Sequence, residues 1–368
     1  MLGSGTVVAT TLMIAALATA LAPRMSSAET FAYIGNADSN DISVFRLDPG
    51  TGEMTPVQTA PFPGIEKPGS STPLAVSPDR RVLVAGIRSQ PFLAVSFAID
   101  PISGHLSHLG NGPLADSMAN IAFDRSGRFL FSASYGGNKV AVNPVQANGV
   151  VAAPAQVIPT GLNAHAFLPA PDNRFVFATN LGSDQVLSFT FDASSGALTP
   201  NAAGTIKTPE KSGPRHFIFH PNGKFIYLLH ELNADLAVYA YDADKGTWRE
   251  EQRTSVLPPG FSGKPWAADL HVTADGRFLY ASERTSNTLA AFKVDASTGH
   301  LTTIGSVPTE TQPRGFNIDP SGRYLAAVGE VSNGMTVYGI DQTSGALRRL
   351  KSYSVGKKPN WVEFVSLP

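Results

Sequence analysis

Seven glycine-centred tetrapeptides recur along the chain: Thr51-Gly52-Glu53-Met54, Ser103-Gly104-His105-Leu106, Asn148-Gly149-Val150-Val151, Ser195-Gly196-Ala197-Leu198, Lys245-Gly246-Thr247-Trp248, Thr298-Gly299-His300-Leu301 and Ser344-Gly345-Ala346-Leu347. Their glycines follow one another at intervals of 45 to 53 residues, each closing a β-rich segment. Helical periodicity is almost absent between them. A repeat of this length in an all-β chain predicts a seven-bladed β-propeller with four-stranded antiparallel blades. A propeller brings equivalent positions of every blade to one central channel, so repeat arithmetic predicts which distant residues meet.

Six turn signals reinforce the repeat: Ser77-Pro78-Asp79-Arg80-Arg81, Asp124-Arg125-Ser126-Gly127-Arg128, Ala170-Pro171-Asp172-Asn173-Arg174, His220-Pro221-Asn222-Gly223-Lys224, Thr273-Ala274-Asp275-Gly276-Arg277 and Asp319-Pro320-Ser321-Gly322-Arg323. Pro, Asp, Asn and Gly are the residues a tight hairpin turn demands. An apolar second strand follows each turn, as in Phe225-Ile226-Tyr227-Leu228-Leu229, and then an alternating third strand, as in Val186-Leu187-Ser188-Phe189. Six turns against seven glycines imply one split blade. Phe31-Ala32-Tyr33-Ile34-Gly35 reads as a second strand without a first, and Trp361-Val362-Glu363-Phe364-Val365 as an innermost strand without a successor. Pairing them closes the ring and removes open sheet edges. Residues 29–368 are therefore expected to form a single propeller domain.

Residues 7–22 form an apolar, small-residue run, and Ser26-Ser27-Ala28 offers small residues for cleavage. Residues 1–28 thus read as a signal peptide and place the protein in the periplasm or outside the cell, with no membrane attachment after cleavage. The apolar run has no Lys or Arg ahead of it. The chain lacks cysteine, which excludes disulfides, thiolate nucleophiles and Cys-ligated metals. A formal net charge of −1 gives no footprint for nucleic acid.

The turn Arg or Lys serves as an origin in each complete repeat. Nine residues before it, at the mouth of the innermost strand, stand Thr72, Ala119, His165, Arg215, Ala268 and Arg314; seven after it, at the end of the second strand, stand Arg88, Tyr135, Leu181, Glu231, Arg284 and Glu330. Blade symmetry puts both rows on one face, around the channel. This is a dense ionisable group in a chain that is only 15% charged. Arg88 with Glu330 also suits a purely structural ion pair. His216 follows Arg215, so strand alternation would point it away from its neighbour; it is kept with Asp269 as a further substrate contact. His105, His108 and His300 read as surface residues, His220 as a turn residue, His271 as part of an innermost strand and His230 as a neighbour of Glu231 without an assigned role. No histidine pair has zinc-motif spacing. Asn180, Asp269 and Glu231 offer oxygen ligands for calcium, but the arginines argue for an anionic ligand. No metal or cofactor is expected.

At these residues the chain resembles the seven-bladed lactonase family that includes propeller-type bacterial 6-phosphogluconolactonase and fungal carboxymuconate-lactonizing enzyme. The segments that carry the resemblance are Gly213-Pro214-Arg215-His216-Phe217, Glu231-Leu232-Asn233, Trp266-Ala267-Ala268-Asp269-Leu270-His271, Glu283-Arg284-Thr285 and Thr309-Glu310-Thr311-Gln312-Pro313-Arg314-Gly315-Phe316-Asn317. The resemblance implies His165, in Asn163-Ala164-His165-Ala166, as the active-site histidine, with Arg215, Arg284 and Glu231 beside it. Two departures stand out: the leader, absent from the cytosolic phosphogluconolactonases, and Pro169-Ala170-Pro171-Asp172 in place of a Ser-Pro-Asp turn.

Lactone hydrolysis needs an activated water, a stabilised oxyanion and a proton for the departing ring oxygen. Glu231 and His165 can divide the proton transfers in either order. Arg215 and Arg284 suit the oxyanion or an acidic group of the substrate, and Arg314, Arg88, Tyr135, His216 and Asp269 complete the expected contacts. The partner is then a small lactone, phosphorylated or not. A secreted binding or scaffold propeller and a muconate-type cycloisomerase are the alternatives.

Overall fold

The computed structural model describes residues 1–6, 28–67 and 69–368. The leader expectation falls on residues 7–22 and on Ser26-Ser27, outside the described residues. Among the described residues no helix is long and apolar enough to cross a membrane.

From Glu29 onward the described residues make seven antiparallel sheets around one axis, six of four strands and one of five. The split blade is present. Strand Pro359–Leu367 is innermost and pairs with Glu29–Asn36, placing Phe31 opposite Val365 and Ile34 opposite Val362. The third complete blade carries the extra strand, Ile206–Lys207, added to Gln185–Asp192.

The recurrent glycines lie between the third and fourth strands rather than at the end of each repeat. Gly104, for example, separates Leu93–Ile99 from Leu106–Pro113. The fourth strands are outermost, mostly exposed and polar, so they lack the alternation that would reveal them. All seven glycines have φ between +64° and +83°. A side chain is excluded there as well: a Cβ on Gly104 would collide with the ring of Phe31, in the second strand of the preceding blade. The motif is therefore a lock between blades as well as a turn.

Apolar faces of adjacent blades supply the core. Phe131 of one blade meets Phe167 of the next edge-to-face, with ring centroids 5.3 Å apart, among Phe129, Phe189 and Phe191. Burying each such side chain contributes about 1.5–3 kcal/mol.

One irregularity shapes the channel. In the fourth complete blade Pro214 pairs with His230 and Phe217 with Leu228, so the innermost strand holds one extra residue. Ala164/Phe167 and Ala267/Leu270 mark the same bulge in the neighbouring blades. A bulge bends the strand and breaks its two-residue alternation.

Candidate active site

Innermost strands run away from the mouth of the channel and second strands return to it, so the two rows of the repeat meet there. Glu231 is the centre of the cluster. Its Oε2 accepts from Nε of Arg215 at 2.8 Å and from Nη2 of Arg284 at 2.9 Å. Its Oε1 accepts from the Trp266 indole at 3.3 Å. Arg215 is 2% exposed and also donates to the backbone oxygen of Ala268. Arg284 lies 3.9 Å over the Trp266 ring and donates to the carbonyls of Trp266 and Ala267. Burial opposes the charge on Glu231, but Arg215 and Arg284 outweigh it and hold the carboxyl below the usual carboxylate range.

The neighbouring blades supply further cations. Arg314 bonds Glu330 at 3.0 Å, so Glu330 pairs with its own blade and not with Arg88. Periodicity placed all three at the mouth but carried no information on side-chain reach. Arg88 donates instead to the hydroxyls of Ser71 and Ser117, at 2.8 and 3.1 Å. Burial first, then Arg314 and Arg215, push its guanidinium down to about 10. Burial and Arg215 push Arg284 down to about 9. Four guanidinium groups thus make direct ion pairs with two carboxylates, Asp116 and Asp269 add negative charge at longer range, and Arg88 is left without a direct carboxylate partner.

His165 sits beside this cluster, with Tyr135 edge-on at 6.0 Å between ring centroids. Burial, and then Arg215, depress its basicity well below the normal histidine range, so the ring is neutral. Its Nδ1 is buried without a partner. His216 faces the channel too, contrary to strand alternation, because the bulge over Pro214–Phe217 inserts a residue. Its ring packs against His165 with centroids 5.0 Å apart, and its Nδ1 lies 2.8 Å from Oδ1 of Asp269.

Beyond His216 the channel widens towards the turn end into a cavity of about 590 Å³, bordered by Asp269, His271, Asn317 and Glu363. None of Arg88, Arg215, Arg284 and Arg314 lines this cavity, so charge rather than volume singles out the mouth. His271 joins this lower layer through Asp269, at 3.3 Å. His230 is buried in its second strand, with Nδ1 3.2 Å from the Asp235 carbonyl. His220 bonds the Gly276 carbonyl between two blades. Asn180 is held by Thr160 and Gly161. Among the described residues no three His, Asp or Glu side chains make a metal-holding group.

Two contributors escaped the repeat arithmetic. Asn360 is the seventh member of the first row and accepts from the Thr72 backbone N–H at 2.8 Å; the split blade has no turn Arg from which to count it. Trp266 lies in the segment before its strand, outside both rows; its signal in the sequence is the family resemblance carried by residues 266–271.

Fold and side chains together define a seven-bladed propeller with a cluster of buried charges at the mouth of its channel. The model of the family described as Lactonase, 7-bladed beta-propeller matches residues 32–364. The chain is 38% identical over 335 residues to a 6-phosphogluconolactonase of Pectobacterium carotovorum, covering 91% of this chain and 98% of that one. It is 41% identical over 330 residues to a 6-phosphogluconolactonase of Yersinia pestis, covering 90% and 96%. Among solved structures, the periplasmic gluconolactonase of Pseudomonas aeruginosa superposes with a TM-score of 0.84 at 31% identity, covering 92% of this chain and all of that one. The chain belongs to the lactonase family of seven-bladed β-propellers.

Proposed function

We propose that this chain hydrolyses a sugar lactone at the arginine-bearing mouth of its channel. One observation carries the reading: a neutral, buried imidazole, His165, stands among four guanidinium groups that make direct ion pairs with only two carboxylates. The names of its relatives support the same chemistry.

Glu231 is a poor base, because hydrogen bonds from Arg215, Arg284 and Trp266 engage both of its oxygens. Its role is to fix Arg215 and Arg284. His165 takes a proton from the attacking water, whose oxygen bonds to the lactone carbonyl carbon. The carbonyl electron pair moves onto oxygen, where Arg215 and Arg284 stabilise it. Collapse breaks the bond to the ring oxygen, which takes the proton back from His165, giving the hydroxy acid. Arg88, without a carboxylate partner, and Arg314 receive an acidic substituent. Tyr135 walls the site beside His165.

An exported location fits the apolar leader and the likeness to a periplasmic gluconolactonase. N-terminal sequencing of the native protein should find a start near Glu29; an intact segment 1–28 on a cytosolic product would contradict export.

The test of substrate is kcat/KM for glucono-1,5-lactone and its 6-phosphate. Arg88→Ala should lose about 2 kcal/mol on the phosphorylated lactone alone, the scale of a charge-assisted hydrogen bond. Arg284→Ala should lower both equally, as an oxyanion contact does. Turnover of neither lactone by the wild type would favour a binding propeller.

A further inference from the structure

We propose that His216 and Asp269 form a positioning pair that sets the tautomer of His165. This rests on His165 serving as the base of lactone hydrolysis.

The argument starts at Asp269. Its Oδ1 lies 2.8 Å from Nδ1 of His216 and accepts the Leu270 backbone N–H at 3.0 Å; its Oδ2 lies 3.3 Å from Nε2 of His271. Burial opposes its ionisation, but His271 and His216 hold the carboxyl far below the usual range. An ionised carboxylate only accepts, so His216 carries its proton on Nδ1 and its lone pair on Nε2.

That Nε2 is buried and has no hydrogen-bond partner, and neither has the buried Nδ1 of His165. The two rings meet at 67° with centroids 5.0 Å apart, a separation that a direct N–H···N hydrogen bond can span. Two orphaned nitrogens on adjacent rings satisfy each other only if one donates and the other accepts. Asp269 has already made His216 the acceptor. His165 therefore donates from Nδ1, and its lone pair stands on Nε2, free for the water.

The relay Asp269, His216, His165 crosses three consecutive blades. It depends on the bulge, which turns His216 inward directly after Arg215. Burial and Arg215 push His216 down to about 4, so it stays neutral at working pH. The Nδ1 protons of both rings remain in place through the reaction, and only Nε2 of His165 gains and returns a proton. His216 is thus a positioning residue that never touches the substrate.

Nitrogen NMR of the histidine-labelled protein at neutral pH reads the tautomers directly. His165 and His216 should both be of the Nδ1–H form. His216→Phe keeps a ring against His165 but removes the acceptor. It should shift His165 towards a mixed or Nε2–H population and lower kcat by tenfold to a hundredfold, on the order of a general base put out of position, with KM within about threefold of wild type. Asp269→Ala should act in the same direction. Should these variants fail to fold, the wild-type spectrum decides alone: an Nε2–H form at His165 overturns the proposal. So does a His216→Phe protein with an unchanged His165 signal or unchanged kcat. His165→Ala separates the two readings. If it is inactive while His216→Phe matches wild type, only the relay falls; if it keeps wild-type turnover, the catalytic assignment falls first.

Discussion

Nη2 of Arg284 donates to Oε2 of Glu231 at 2.9 Å across the boundary between two blades. The same oxygen holds Nε of Arg215. One carboxylate therefore fixes both cations assigned to the oxyanion. Glu231→Gln would leave two buried guanidinium groups without a counter-charge, a change that costs about 3 kcal/mol. Displaced cations should also lower kcat about a hundredfold. Urea unfolding and lactone turnover should therefore fall together. Unchanged values of both would show that the ion pair neither supports the blades nor organises the site.

The interblade glycine gives a stability prediction with an internal control. Gly104 and Gly223 both have positive φ, +68° and +71°, but only Gly104 faces a ring, whereas nothing lies within 4 Å of the Cβ position of Gly223. Each Ala substitution costs about 1–2 kcal/mol for the left-handed conformation. Gly104→Ala should lose about 1–3 kcal/mol more, from overpacking against Phe31. Equal losses in urea unfolding would mean that the glycine is needed for its turn alone.

Deleting residues 359–368 removes no proposed catalytic group but strips the innermost strand from the split blade. The backbone groups of Glu29–Asn36 would lose one set of partners, and the ring would open at two edges. The truncated protein should aggregate or unfold far below the wild-type melting temperature. An unchanged melting curve would contradict closure by this strand.

Glu363, in the lower channel, gives a pH dependence. Burial raises its carboxyl from 4.5 to about 7, so the folded state holds a proton that the unfolded chain has released. That stabilising contribution is complete below about pH 4.5 and is lost as pH rises through about 7. Glu363→Gln should therefore match the wild type in melting temperature near pH 4 and exceed it near pH 8. A variant that is less stable at both would overturn the assignment.

The legible parts of this molecule are those that periodicity controls. The turn Arg or Lys opens a second strand of constant length, so counting from it brought Arg215, Glu231 and Arg284 together from residues far apart in sequence. The same counting failed where a local rule changes. The bulge put His216 beside Arg215 in the channel, and no residue pattern in the strand announces an inserted residue. The split blade has no turn from which to count Asn360. The partner of Glu330 depends on side-chain reach, which gave it to Arg314. In the sequence the glycine motifs read as repeat ends, because the exposed fourth strands, such as Leu106–Pro113, carry too little apolar alternation to be seen.

The most direct test of the account is hydrolysis of glucono-1,5-lactone and its 6-phosphate by the purified wild type and by His165→Ala, with folding checked by thermal unfolding. The wild type should turn over at least one of the two lactones. The folded variant should lose on the order of a hundredfold or more in kcat, the scale of a missing general base. A folded His165→Ala protein with wild-type turnover would contradict the site proposed at the channel mouth.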